Sequence, residues 1–426
     1  MKKADIVLRR CRQVLTCAGP VPKRGKDLAD VGLLEDTSLA ISGGEIIFLG
    51  PDEKLKATIE ISSTTEVLEG EDFVVLPGFI DSHTHLPFAG SREEEFALRL
   101  QGYTYQELAA RGMGIQTTVR ATREISREEL LQLCLKRCDS MLLHGTTTAE
   151  AKSGYGLNLE DELKQLEVIQ EADRRHPLDL VATYLGAHEV PPEYKDKKAE
   201  YIDFLTEKVL PLVKEKNLAR FVDVFCEEGV YSLAETRRII RAAKELGLAV
   251  RIHADEFSPL GGAKLAVEEG AASADHLMAI DPEGIALLAE SSTVATLLPV
   301  VPFFLMQEKK APARELIEAG AVVAVASDFN PGSSMTENML LVIQMAVFLL
   351  KMRIEEAINA ATINAAYSLG ISRTTGSLEV GKKADLLLCQ VPNYLHLVYH
   401  LGVNPIRHVI KNGRLVVKNK QLVKAY

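Results

Sequence analysis

The stretch FVVLPGFIDSHTH, residues 73–85, decides the fold and points to the chemistry. Residues 73–80 form a β-branched and aromatic apolar run, the composition of a strand buried on both faces. It ends in Asp81-Ser82 and the pair His83-Thr84-His85. Seven further apolar runs follow, at 146–151, 180–185, 221–225, 249–252, 272–274, 294–298 and 322–326. Segments of helical period, such as 127–143, 159–172, 232–246 and 311–319, lie between them. Parallel strands need long crossovers and helices supply them. Eight strand–helix repeats therefore predict an α/β fold, a closed (β/α)8 TIM-like barrel.

The chain ends have a different pattern. Short strands are expected at 6–16, 37–49, 385–390 and 408–423, with turn signals at Gly43-Gly44 and Asn412-Gly413. This predicts a small composite β domain built from both chain ends, 1–72 and 378–426, beside a barrel over 73–377. Helices at 334–351 and 354–368 connect the two.

The chain has 426 residues, 47% of them hydrophobic and 25% charged, which excludes disorder and fibrous folds. Its formal charge of −10 argues against a phosphate-backbone binder, so no nucleic-acid partner is expected. Six cysteines without a C-x-x-C pairing suit reduced thiols. A charged N-terminus and the lack of a long apolar span suggest a cytoplasmic protein with no membrane role. A homodimer is compatible with the sequence.

Five of the ten histidines fall at or just past the end of an expected strand: His83, His85, His188, His253 and His276. Barrels of this kind carry their reactive groups there, because the loops after the strands converge over a rigid floor. In an extended H-x-H both side chains point the same way, so His83 and His85 can reach one cation. An isolated H-x-H is usually a pair of surface histidines, but three more histidines at neighbouring strand ends reverse that preference. Asp328 follows the run 322–326, where an acid is costly unless it is paired or bound to metal. Its ordinary alternative is a helix cap. Three imidazoles and a carboxylate suit one divalent Zn or Fe rather than Mg or Ca. A metal with an open coordination position acidifies water, and hydrolysis is its simplest use. Glu256, three residues past His253, is the expected proton shuttle, with Asp255 as its rival. His276 either hydrogen-bonds the attacking oxygen or serves as a further ligand.

These residues, with the motif P-G-F-I-D-x-H-T-H at 77–85 and the segment 376–386, resemble the amidohydrolase superfamily. Segments 88–96, 150–157, 186–191 and 327–333 narrow the resemblance to one of its branches. It implies hydrolytic opening of a small-molecule substrate, 4-imidazolone-5-propanoate, to N-formimidoyl-L-glutamate in histidine degradation. The resemblance also implies that His83, His85, His253 and Asp328 hold the metal, and that Arg92, Tyr155, His188, Glu256, Asn330, Gly332 and Ser333 contact substrate or product. Catalysis would then fall to Asp328, His276 and Glu256. Some relatives bridge two metals with a carboxylated lysine. The fourth run ends Phe225-Cys226-Glu227-Glu228 without one and Lys152 lies two positions too late, so one metal is expected, with Glu227 or Glu228 as the alternative bridge. The rival functions are a cytosine or guanine deaminase and a catalytically silent barrel.

Overall fold

The structure, a computed structural model, describes residues 1–103, 107 and 111–423. Eight parallel strands form one sheet: Phe79–Asp81, Thr146–Lys152, Asp179–Ala187, Phe221–Cys226, Ala249–Ala254, Ser273–His276, Val294–Leu297 and Val322–Val325. Each pairs with the next in chain order, as a barrel requires. The seam between the eighth and first strands closes just beyond their ends. There Asp328 N donates to His83 O and His85 N donates to Phe329 O, both at 3.0 Å. The segment carrying the candidate ligands thus also closes the barrel.

Local signals explain the crossover helices. Arg127–Leu143 starts at Ser126, whose hydroxyl accepts from Glu129 N while the Glu129 carboxylate accepts from Ser126 N. Its Leu130, Leu131, Cys134, Cys138, Met141 and Leu142 are buried on one face, which accounts for the two cysteines four residues apart. Leu233–Glu245 begins with the same device at Ser232 and Glu235. All six cysteines are buried and unpaired. Among the described residues no helix is long and apolar enough to cross a membrane.

A second sheet joins the chain ends. Leu386–Cys389 pairs antiparallel with Val74–Pro77, which pairs in turn with Ile6–Leu15, and hairpins extend the sheet on both sides. The expected turns at Gly43-Gly44 and Asn412-Gly413 are the tips of two of them. Residues 73–80, read above as one barrel strand, are instead divided at Gly78. Val74–Pro77 belongs to the end-built sheet and only Phe79–Asp81 to the barrel. Gly78 N donates to Asp385 O at 3.0 Å, and a Cβ on Gly78 would stand 2.2 Å from Thr147 Oγ1, so the two sheets meet where a side chain would not fit. An apolar run cannot reveal such a crossing, because both halves are buried equally.

Candidate metal centre

The ends of the first, fifth, sixth and eighth strands converge on one buried cluster. The His83 and His253 rings are 4.5 Å apart, His253 and His276 5.1 Å, and His83 and His85 5.5 Å. Asp328 Oδ1 lies 3.3 Å from both His83 Nε2 and His85 Nε2. One donor atom from each of His83, His85 and His253 fits within 4.8 Å, and so does one from each of His83, His276 and Asp328. Backbone strain accompanies the cluster: Asp328 has φ 53° and His276 φ 81°, in the left-handed region that non-glycine residues avoid.

This donor set fits a divalent cation. His83 Nε2, His253 Nε2, both ring nitrogens of His276 and Asp328 Oδ1 are buried without a hydrogen-bond partner among the described residues. Buried polar atoms of this kind are costly unless something binds them. The charge balance agrees. With the imidazoles neutral, as metal binding requires, the buried carboxylates of Glu150, Asp223, Asp275 and Asp328 outnumber the buried cations Lys152 and Arg251 by two.

Buried carboxylates orient the imidazoles from behind. His83 Nδ1 donates to Asp275 Oδ2 at 2.7 Å, which leaves Nε2 directed at the cluster. Asp223 Oδ2 lies 2.9 Å from His253 Nδ1 and 2.8 Å from Lys152 Nζ, and Lys152 also donates to Glu150 at 2.6 Å. Lys152 is therefore tied into a buried ion network behind the histidines. Arg251 donates to Ser82 O at 2.9 Å and sits 3.4 Å from Asp275. None of Asp223, Arg251 or Asp275 was singled out from sequence. The available signal was a charged residue inside an otherwise apolar strand run.

Asp328 is fixed by the loop that follows it. Asn330 Nδ2 donates to Asp328 Oδ2 at 3.0 Å and Ser333 Oγ donates to the same oxygen at 3.1 Å, leaving Oδ1 for the histidines. Asn330 Oδ1 in turn accepts from Gly332 N and Ser333 N at 2.8 and 2.9 Å. The roles of Asp255 and Glu256 separate cleanly. Asp255 accepts from the backbone N–H of Gly261, Gly262 and Ala263 and shapes the loop. Glu256 lies 3.6 Å from His276 Nε2, and burial, reinforced by Asp328 and Glu227, holds its carboxyl well above the usual range. Glu227 accepts from Phe257 N and Ser258 N at 3.0 and 3.1 Å, so it braces the Glu256 loop.

The cluster forms the floor of a cavity of about 580 Å³. Arg92, Tyr155, His188, Glu256, Asn330, Gly332 and Ser333 all line it. His188 Nδ1 donates to Gly154 O at 2.9 Å, and burial keeps the ring neutral, so Nε2 is an acceptor. Tyr155 packs 5.3 Å from that ring, and burial raises its phenol. Arg92, expected at the carboxylate end of the substrate, gives two donors to Glu95, at 2.9 and 2.6 Å.

Comparison with known proteins agrees with this geometry. The amidohydrolase family matches residues 74–416. The imidazolonepropionase of Symbiobacterium thermophilum is 50% identical over 418 residues, 98% of each chain. That of Alkaliphilus oremlandii is 47% identical over 420 residues, 98% of this chain and 99% of its own. Among solved structures, a triazine hydrolase variant superposes with TM-score 0.76 at 17% identity, covering 99% of this chain and 96% of that one. A zinc-bound adenosine deaminase from Xanthomonas campestris gives 0.71 at 18%, covering 100% and 95%. Such distant likenesses show the barrel architecture alone.

Proposed function

Because the chain belongs to the imidazolonepropionase branch of the amidohydrolase family, we propose that it opens 4-imidazolone-5-propanoate to N-formimidoyl-L-glutamate, the cyclic-amide step of histidine degradation. It is a metal-dependent hydrolase acting on a small molecule. The observation that carries this reading is the juxtaposition, in one cavity, of a buried three-histidine, one-carboxylate cluster with Arg92. We assign the chemistry to the barrel, which starts at Phe79 rather than at residue 73, count Val74–Pro77 with the composite β unit built from the chain ends, and place the activity in the cytoplasm.

His83, His85, His253 and Asp328 would hold one ion, Zn or Fe, which supplies Lewis acidity toward water and the ring carbonyl. Water adds across the ring amide C–N bond: the carbonyl carbon gains the oxygen and the nitrogen gains a proton. Asp328, its Oδ2 held by Asn330 and Ser333, takes the first proton from the attacking water. Glu256, kept protonated by burial, delivers a proton to the departing nitrogen. Burial keeps His276 neutral, and a neutral imidazole has one N–H to offer the oxygen on which charge develops. His188 Nε2 accepts from a ring N–H and so sets the face of the imidazolone presented to attack. Tyr155, Gly332 and Ser333 complete the enclosure around substrate and product, and Arg92 meets the propanoate.

The test is turnover. Metal-replete protein is expected to consume 4-imidazolone-5-propanoate and release N-formimidoyl-L-glutamate, identified by mass, with no deamination of cytosine or guanine. Deamination without ring opening would replace the proposal with the deaminase reading. Asp223→Asn, which removes the charge behind His253, is expected to weaken metal affinity about 10- to 100-fold in competition with a chelator. Unchanged affinity would remove Asp223 from the centre.

A further inference from the structure

The reading above puts a ring bearing a carboxylate into the cavity, and the inference that follows rests on it. Arg92, Glu95 and Arg99 stand at i, i+3 and i+7 at the start of and along the helix Glu93–Leu100, so they share one face, and all three line the cavity. One edge of the Arg92 fork is already in use. Nε and Nη2 both donate to the Glu95 carboxylate, which also accepts from Gly114 N at 2.8 Å. The two side chains are 12% and 7% exposed, so this is an enclosed and electrically neutral pair. Binding of an incoming carboxylate is strongest with parallel donors and a net positive charge. The Nη1 edge of Arg92 keeps donors to offer, but the pair with Glu95 carries no net charge.

Arg99 supplies the missing charge, since the trio carries a net +1 that one propanoate balances. Its guanidinium is well fixed. Nη2 donates to Gly332 O at 2.9 Å, the guanidinium carbon lies 5.8 and 5.7 Å from the ring centres of Phe96 and Phe304, and Nε is buried without a partner among the described residues. Gly332 is where the two arginines meet. A Cβ there would stand 2.2 Å from Arg92 Nη1, so both guanidiniums press on the same loop residue after the eighth strand.

We propose that Arg99, acting with the neutral Arg92–Glu95 pair, sets the enzyme's requirement for an anionic side chain on the substrate ring. The readout is the ratio of kcat/KM for the propanoate to that for the corresponding uncharged propanamide. Arg99→Gln is expected to lower this ratio about 10- to 100-fold, the effect of losing one charge-assisted contact, while Arg99→Lys keeps the greater part of it. If Arg99→Gln is too unstable to assay, Arg99→Met provides the same comparison, because its chain still packs between Phe96 and Phe304. A purely structural role would reduce both substrates together and leave the ratio unchanged, which would overturn the proposal. So would Arg99→Lys losing the preference as fully as Arg99→Gln. Wild-type turnover is measured first: failure of the functional reading shows as no turnover, whereas failure of the Arg99 assignment shows as an unchanged ratio in an active enzyme.

Discussion

Asp328→Ala is expected to leave a folded protein that retains neither metal nor turnover, with kcat reduced about 10⁴-fold or more. The size of the effect follows from position. Asp328 is buried at the closing seam of the barrel, its Oδ1 is 3.3 Å from both His83 Nε2 and His85 Nε2, and its Oδ2 accepts from Asn330 and Ser333. His83 and His85 hold this carboxylate well below the usual range against the opposing effect of burial. The backbone bond from Asp328 N to His83 O does not involve the side chain, so barrel closure survives the substitution. Metal analysis of the purified variant and a single-turnover assay check both halves. Full activity in a metal-replete Asp328→Ala enzyme would refute the role.

Glu256→Gln separates binding from chemistry. Glutamine preserves the shape but cannot deliver a proton, and loss of a general acid is expected to reduce kcat about 10²- to 10⁴-fold. Metal content should be unchanged, because Glu256 is not among the four candidate ligands. Two neighbours make the expectation specific. Asp255 is committed to three backbone N–H groups and cannot substitute, and Glu227 holds the loop in place through Phe257 and Ser258. Loss of metal together with activity would mark Glu256 as a ligand, and near-normal kcat would end its role as proton donor.

The sequence made the barrel legible through periodicity, since apolar runs separated by amphipathic segments have few other folds available. The histidines were legible because they terminate those runs. The supporting charges were not. Asp223 and Arg251 sit inside strands that read as buried, and only the inward alternation of side chains around a closed barrel turns such positions into an interior ion network. The division at Gly78 escaped because Val74–Pro77 and Phe79–Asp81 are equally apolar and equally buried. Arg92 illustrates a third limit. In the acidic run Ser91-Arg92-Glu93-Glu94-Glu95 the pattern alone points to a local ion pair on the surface, whereas Arg92 pairs with Glu95 inside the cavity.

Diffraction from crystals of the metal-replete protein, recorded on both sides of the zinc and iron absorption edges, tests the centre most directly. One anomalous peak per chain is expected, bounded by His83, His85, His253 and Asp328. A peak elsewhere, two peaks, or those four side chains around an empty space in protein that turns over substrate would contradict it.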